Sequence, residues 1–340
     1  MNSGTPAIWA IILFLCFSGV RDCFCVTPAN NVCDSLKIVL ENTDSDSAKI
    51  RVYCELSKAF NRIDPDKALE YADRGLRIAE KISDRAGIAK CYNHMGIAYD
   101  IMGEYNMAIE NYMASLKINE EMGNDREMAK TLNNIGIVFD LMENYPKAIE
   151  YYCKSLEIKI GLKDDKGVAT TYLNIANVYL LTQQQDSAKK FIGLAKNMID
   201  DIDDDKFNSA ILSHIGTYYA QMGNFILARE YFEKALAVKR DLNDKQGIIV
   251  ALRNIGGCYT ETGYYKTAAG YVEEALSTAI EINAKYEIKD AYHELSRIYE
   301  LMGNKKLAYE YYIIHTAYKD SLQDERNQKQ IAELETKYET

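Results

Sequence analysis

One position of the chain carries an amide or imidazole side chain at intervals of 40 residues. A small residue follows two places later in every case, and the position is occupied by His94, Asn134, Asn174, His214, Asn254 and, in the last place, Glu294. An amide offers two donors and one acceptor, which suits the backbone of a bound peptide. The same donors and acceptors can also form hydrogen bonds with a neighbouring helix. The pattern therefore predicts either a ligand contact or a contact that stabilises the fold.

Residues that could support catalysis or metal binding lack the required spacing. The four histidines (His94, His214, His293 and His315) include no pair at the i, i+4 spacing of a helical metal site. The acidic stretch DDIDDDKF has Lys206 and Leu212 where a calcium loop needs glycine and glutamate. Phosphate-loop, nucleophile-elbow and zinc-protease motifs do not occur in the sequence. We therefore expect no metal site, no cofactor and no enzymatic activity.

The composition favours a helical protein that does not bind nucleic acid. The 340 residues carry a net charge of −10 and include only 4 prolines. A nucleic-acid-binding domain needs a basic surface for phosphates, which this charge disfavours. The cysteines beyond the N-terminal segment are odd in number and form no C-x-x-C pair, which argues against a disulfide framework or a zinc site: Cys33, Cys54, Cys91, Cys153 and Cys258.

An internal repeat organises most of the chain. Alanines recur every 40 residues without a slip: Ala68, Ala108, Ala148, Ala188, Ala228, Ala268 and Ala308. Each unit contains two segments with apolar residues at i, i+3, i+4 and i+7, which predicts a pair of helices. Glycines such as Gly103 and Gly223 fall between the two helices, where a tight turn requires positive φ. We expect the small residues at Gly96 and Gly136 to allow close helix packing.

The repeated pattern resembles the tetratricopeptide-repeat family. The segments NNIGIVFDLMENYPKAIEYYCKSLEI and RNIGGCYTETGYYKTAAGYVEEAL carry its small, aromatic and alanine positions, and the resemblance covers residues 49–320. It implies an all-α, right-handed superhelical solenoid of about seven helix pairs. The units are about six residues longer than the usual 34, and the extra residues should lengthen the helices or the loops.

The family resemblance also implies a concave groove, lined by the first helix of each pair, that holds a peptide or protein segment. The residues expected on this groove are His94, Asn134, Asn174, His214, Asn254, Lys90, Lys130, Asn133, Asn177 and Arg253. The alternative, that the asparagines bond a neighbouring helix, stays open. The basic residues do not match the family's clamp for a free acidic C-terminus, so we expect a ligand with mixed apolar and polar side chains.

The two ends of the chain differ from the repeats. Residues 1–25 contain the apolar run AIWAIILFLCFSGV, which predicts a secretory signal or an uncleaved membrane anchor and a periplasmic location. Residues 30–48 are expected to form a capping helix. Residues 321–340 are expected to form a polar helix whose Ile331, Leu334 and Tyr338 have the spacing of a coiled coil, which predicts pairing of two chains.

The whole layout is similar to the extracytoplasmic sensor region of a signalling family common in Bacteroidetes. The matching segments are the signal, NNVCDSLKIVLENT, DPDKALEYADRGL, the repeats and YKDSLQDERNQKQIAELETKYE. In that family a membrane span and a histidine kinase or helix-turn-helix output follow. The resemblance implies a non-catalytic sensory or scaffolding module. Two alternatives are the input domain of a truncated kinase or transcription regulator, and an envelope scaffold that uses its convex face.

Overall fold

Helices account for all the regular secondary structure among residues 29–61 and 64–338, which are the residues described in the computed structural model. The α-helices are α1 (Ala29–Glu41), α2 (Asp46–Phe60), α3 (Pro65–Lys81), α4 (Arg85–Met102), α5 (Tyr105–Met122), α6 (Asp125–Leu141), α7 (Tyr145–Gly161), α8 (Asp165–Leu181), α9 (Gln185–Asn197), α10 (Asp205–Gln221), α11 (Phe225–Asp241), α12 (Lys245–Glu261), α13 (Tyr265–Glu281), α14 (Lys285–Leu301) and α15 (Lys305–Tyr338). A short 3₁₀ turn covers Ile199–Asp201.

The helices α2 to α15 form seven antiparallel pairs, and the predicted all-α class is confirmed. The first compact unit, which ends at Ile202, contains α1 and the pairs α2/α3, α4/α5, α6/α7 and α8/α9. The second unit, which begins at Asp203, contains the pairs α10/α11, α12/α13 and α14/α15. In the first unit, the first helix of each pair also contacts the first helix of the next pair. In the second unit, α12 and α14 make the same kind of contact.

Most turns between helices combine one left-handed residue with one capping residue. The left-handed residues recur at 20-residue intervals over most of the chain: Ser83, Gly103, Gly123, Glu143, Lys163, Gln183, Gly223, Asn243, Gly263, Asn283 and Gly303. In most turns the next residue is an aspartate or asparagine, and its carboxylate or amide oxygen accepts the N–H three residues later, as Asp84 does from Gly87 and Asn144 from Lys147. These bonds satisfy orphan donors at the start of a helix. The chain therefore reverses within about three residues.

The extra residues of each repeat lie in the helices. The helices α6, α7, α8, α11, α12, α13 and α14 each contain 17 residues, while the turns stay short. Segments such as GNDREMAK (123–130) and KDDKGVAT (163–170), which separate the units in the sequence, mostly form the opening turns of α6 and α8. The longer period thus extends the surface that each first helix presents.

The close helix packing expected at the small residues is present. A Cβ atom on Gly136 would lie 2.6 Å from the ring of Tyr152, and one on Gly216 would lie 2.7 Å from the ring of Phe232. Tyr152 and Phe232 belong to the second helix of the same pair and are almost fully buried. Each ring therefore packs directly on the backbone of the first helix, which fixes how the first helix is presented to the next pair.

The remaining predictions concern an N-terminal signal or anchor and a C-terminal coiled coil. The apolar run predicted to be a signal or anchor lies within residues 1–28, outside the described residues. Among the residues that are described, no helix is both long and apolar enough to cross a membrane. The helix α15 continues without a break from the seventh pair into the polar segment that begins at residue 321. The expected coiled coil and chain pairing stay predictions.

Candidate ligand-binding surface

The recurrent asparagines of the first unit bond to one another between successive first helices. The Nδ2 atom of Asn134 on α6 donates to Oδ1 of Asn93 on α4 at 3.4 Å. The Nδ2 atom of Asn174 on α8 donates in the same way to Oδ1 of Asn133 on α6 at 3.3 Å. In both cases the donor lies 41 residues after the acceptor. The repeat therefore places the recurrent asparagine of one first helix against the asparagine that precedes the corresponding position of the first helix before it.

Asn133 is the centre of a buried polar cluster. Besides Asn174, its Oδ1 atom accepts from Nζ of Lys159, on α7, at 3.4 Å. The same ammonium donates at 2.8 Å to the hydroxyl of Thr171, which in turn donates to the carbonyl of Gly167. Lys159 is only 5% exposed, and this burial lowers the pKa of its ammonium from 10.5 to about 8. A buried cation held largely by neutral oxygens makes this cluster electropositive.

The two predicted groove lysines already have carboxylate partners. Nζ of Lys90 lies 3.9 Å from Oε1 of Glu55, which joins α4 to α2. Nζ of Lys130 donates to Oε1 of Glu127, one helical turn earlier, at 2.7 Å. Both lysines are exposed, and such surface pairs contribute little to stability. A ligand carboxylate could therefore compete for either lysine at low energetic cost.

Near the C-terminal ends of α6 and α8, an acidic residue and an amide form a largely buried pair. Nδ2 of Asn177 on α8 donates to Oδ2 of Asp140 on α6 at 3.4 Å. Burial raises the pKa of the Asp140 carboxyl to about 6, although the bond from Asn177 acts in the opposite direction. The other oxygens of this pair, Oδ1 of Asp140 and Oδ1 of Asn177, are buried without a hydrogen-bond donor. Protonation of Asp140 would supply a donor to this pair of acceptors.

His94 on α4 occupies the position that Asn134 and Asn174 hold in the next two repeats, and it is 7% exposed. Desolvation, together with the nearby Lys90 and Lys58 cations, lowers the pKa of its imidazole to about 3. The ring is therefore neutral at pH 7, and its Nδ1 atom is buried without a hydrogen-bond partner. His94 therefore differs from Asn134 and Asn174, whose amides bond to the preceding first helix.

In the second unit an ion pair joins the residues at the corresponding positions of two successive first helices. Arg253 on α12 donates to Oε1 of Glu294 on α14 from Nε at 3.0 Å and from Nη2 at 2.6 Å. The two residues again lie 41 positions apart. Asn254, the next residue, is half-buried on α12. The relationship between successive first helices is thus conserved within both units while its chemistry changes from amides to a salt bridge.

His214, on α10, is held neutral beside a buried lysine. Desolvation and the Lys239 cation lower the pKa of His214 to about 4. Lys239 occupies the register of Lys159 two repeats later, and its Nζ atom lies 3.2 Å from the hydroxyl of Ser213 and 3.4 Å from the carbonyl of Ser209. Sequence reasoning missed both lysines, because lysine is usually exposed. Their separation of 80 residues, twice the repeat, was the available signal.

The first unit therefore brings seven of the ten predicted site residues onto one connected surface. We define the first-helix face as the part of α4, α6 and α8 that carries Lys90, Asn93, His94, Lys130, Asn133, Asn134, Asn174, Asn177 and Asp140. Asn133, Asn134 and Asn174 lie in its middle, between exposed lysines on one side and Asn177 with buried Asp140 on the other. Among the described residues, no group of three or more potential ligands could hold a metal ion.

Family models match the chain along most of its repeats. A tetratricopeptide-repeat model matches residues 59–121, 88–161, 127–195 and 208–281, and a second one matches residues 289–313. The first model alone covers more than half of the chain. The chain belongs to the tetratricopeptide-repeat family. Members of this family are typically non-catalytic modules.

Solved structures of tetratricopeptide-repeat proteins share this fold at low identity. The apo form of RapI is 17% identical, with a TM-score of 0.59 over 81% of this chain and 99% of RapI. The Rap conjugation gene regulator of the plasmid pLS20, solved with the Phr* peptide, is 15% identical, with a TM-score of 0.55 over 82% and 76%. Aspartyl phosphate phosphatase F from Bacillus subtilis is 18% identical, with a TM-score of 0.54 over 83% and 77%. No curated protein matches the chain.

Proposed function

We propose that this tetratricopeptide-repeat protein binds an extended peptide or protein segment on its first-helix face and has no catalytic activity of its own. The observation that carries the proposal is the row of amides formed by Asn93, Asn134, Asn133 and Asn174. Each bond between repeats uses one N–H of a donor amide, and every amide carries two. Asn133 and Asn134 are half-buried, so part of each side chain is exposed.

The geometry of the row suits an extended backbone. A peptide in an extended conformation presents N–H and C=O groups alternately along its length and bonds most readily to groups that can both donate and accept. Asparagine meets this requirement in either amide orientation. The neighbouring lysines and carboxylates would then select side chains of opposite charge at the edges of the face.

The structural relatives support a peptide as the ligand class. The Rap regulator of pLS20 was solved in complex with the Phr* peptide, and its fold covers most of this chain. At this low identity the likeness extends to the fold, so the residues that bind the ligand are proposed from the present structure alone. The relative named as a phosphatase does not change the proposal, because at 18% identity it shares only the fold with this chain.

We further propose that binding serves a sensory or scaffolding role on the extracytoplasmic side of a membrane. The N-terminal segment AIWAIILFLCFSGV and the similarity of the layout to Bacteroidetes sensor regions support this role. Membrane association would come from that segment or from a span after residue 340. A reading frame that continues past Thr340 into a span and a kinase or DNA-binding domain would favour the input-domain alternative.

A peptide-display selection against the full chain tests the proposed binding. Peptides recovered from the selection are titrated against the wild-type chain and against Asn134→Ala/Asn174→Ala. Each lost amide contact is expected to weaken binding about fivefold, since a hydrogen bond contributes about 1 kcal/mol. Asn106→Ala is the matched control, because Asn106 is exposed on the second helix α5. Equal affinity for the double variant, with its fold intact, would remove the first-helix face as the binding site.

A further inference from the structure

Two cysteine side chains meet in the interior of the first unit. Cys54 on α2 and Cys91 on α4 are both fully buried, and their Sγ atoms are 3.8 Å apart. They lie on the first helices of consecutive pairs and are separated by 37 residues in the sequence. The odd cysteine count and the missing C-x-x-C motif conceal this pair, because the two residues meet only after the first two repeats have packed.

The surroundings of the two thiols are apolar and tightly packed. Ile50, Leu76 and Ala79 pack with both cysteines in one buried cluster, and a Cβ on Gly75 would lie 3.1 Å from Sγ of Cys91. No third ligand joins them in a metal site among the described residues. The contact with Cys54, together with burial, raises the pKa of the Cys91 thiol, so that thiol is protonated at neutral pH.

We propose that Cys54 and Cys91 are the site of a reversible disulfide that joins the first repeat to the second. The oxidant is a disulfide, either oxidised glutathione or the active-site disulfide of a thiol oxidase. The thiolate of one cysteine attacks the oxidant, which releases one thiol and leaves a mixed disulfide. The second cysteine then loses its proton and attacks this intermediate, which releases the other thiol. In total, two S–H groups become one S–S bond and the oxidant gains two hydrogens.

The reaction belongs to folding or to local opening of α2 from α4. In the closed structure both sulfur atoms are shielded from any oxidant and burial disfavours the thiolate of Cys91. During folding, the packing of α2 on α4 brings two otherwise exposed thiols together. Only a small closure of the 3.8 Å separation is then needed to reach bonding distance.

The cross-link would act where a repeat protein is weakest. Each repeat is stabilised by its neighbours, so terminal repeats open first. A bond between α2 and α4 restricts the open states of the terminal pair. Cys91 lies one residue after Lys90 and three before His94, so the bond would also hold one end of the first-helix face. The proposal does not depend on the identity of a ligand.

Disulfide mapping on the full chain tests the proposal. The reduced chain is unfolded in urea, refolded with reduced and oxidised glutathione, alkylated, digested and examined by mass spectrometry. We expect one dominant cross-link, between Cys54 and Cys91. The same cross-link should form in Cys153→Ala, whose cysteine is exposed on α7, and should be missing from Cys54→Ala. Recovery of Cys54 and Cys91 as alkylated thiols in the oxidised wild-type chain would overturn the assignment.

Hydrogen exchange tests the effect of the bond. Amides of α2 and α3 should exchange more slowly in the oxidised wild-type chain than in the same chain treated with dithiothreitol, whereas those of α12 should be unchanged. This comparison uses one sequence, so it holds even if Cys54→Ala does not fold. Equal exchange in the two redox states would overturn the proposed stabilisation of the terminal repeat.

Discussion

The Nδ2 atom of Asn174 lies 3.3 Å from Oδ1 of Asn133, so an amide of the fourth helix pair bonds to an amide of the third. The same oxygen accepts from the buried ammonium of Lys159. A single side chain therefore makes the contact between repeats and also accepts a hydrogen bond from a buried charge. This relationship makes Asn133 the residue whose removal the first-helix face should tolerate least.

Replacing Asn133 with alanine should destabilise the first unit by about 2 kcal/mol, because two donors, one of them charged, lose their acceptor. Urea denaturation followed by circular dichroism measures the change. The control Asn106→Ala is expected to change stability by less than about 0.5 kcal/mol, as is usual at exposed positions. Equal midpoints for the two variants would show that the bonds to Asn133 contribute nothing.

Lys159 should make stability depend on pH in the alkaline range. Its ammonium has a pKa of about 8 in the folded chain and 10.5 as the reference value, so the fold disfavours the charged form. The unfolded chain then binds more protons between these values, and stability should rise as pH increases from about 8 to about 10.5. Lys159→Met, which keeps most of the volume, should flatten this rise. Denaturation midpoints at pH 7.5 and 10 provide the measurement, and an unchanged slope in Lys159→Met would contradict it.

Asp140 should make stability fall, and not rise, as pH increases through the acidic range. Burial raises the pKa of its carboxyl from 3.8 to about 6, so the folded chain binds the proton more tightly than the unfolded chain does. Its contribution to stability is full below about pH 4 and is lost as pH rises through 6. Asp140→Asn should therefore stabilise the chain at pH 8, on the order of 2 kcal/mol, and have little effect at pH 4. Thermal unfolding at the two pH values measures the difference, and an equal effect at both would exclude titration of Asp140 as its origin.

Gly136→Ala should destabilise the chain because the added methyl group would lie 2.6 Å from the ring of Tyr152. Overpacking of this kind costs about 1–3 kcal/mol. Gly193→Ala on α9 is the matched control, since a Cβ there meets no atom within 4 Å and alanine favours helix. The control should be neutral or stabilising by up to about 1 kcal/mol. If both substitutions shift the urea midpoint alike, the contact with Tyr152 is not the reason for glycine at position 136.

The helix pairs could be predicted from the sequence because their signals are local and repeated. Alanine at 40-residue spacing and glycine opposite an aromatic residue report directly on packing within one pair, as Gly136 and Tyr152 show. The left-handed positions in the turns could be predicted only in part. Gly103 and Gly223 indicated left-handed positions, but Ser83, Glu143 and Lys163 adopt the same conformation without being glycine. The aspartates and asparagines that follow them, such as Asp84 and Asn144, were the stronger signal.

The contacts within the candidate site could not be predicted in the same way. The recurrence of Asn134 and Asn174 was visible, but their partners depend on the rise and rotation from one pair to the next. Those parameters set a separation of 41 residues, one more than the repeat. Lys159 was missed because burial of its ammonium depends on Asn133 and Thr171, which lie on two different helices. The meeting of Cys54 with Cys91 has the same tertiary origin.

The position of a bound peptide tests the central claim most directly. A peptide obtained by selection and carrying a benzophenone group would be photo-cross-linked to the full chain, and the modified residues would be mapped by mass spectrometry. Attachment to α4, α6 and α8 close to Asn93, Asn133, Asn134 and Asn174 is the predicted result. Attachment confined to the second helices α5, α7 and α9 would contradict the account and would favour a scaffold that binds through the opposite surface.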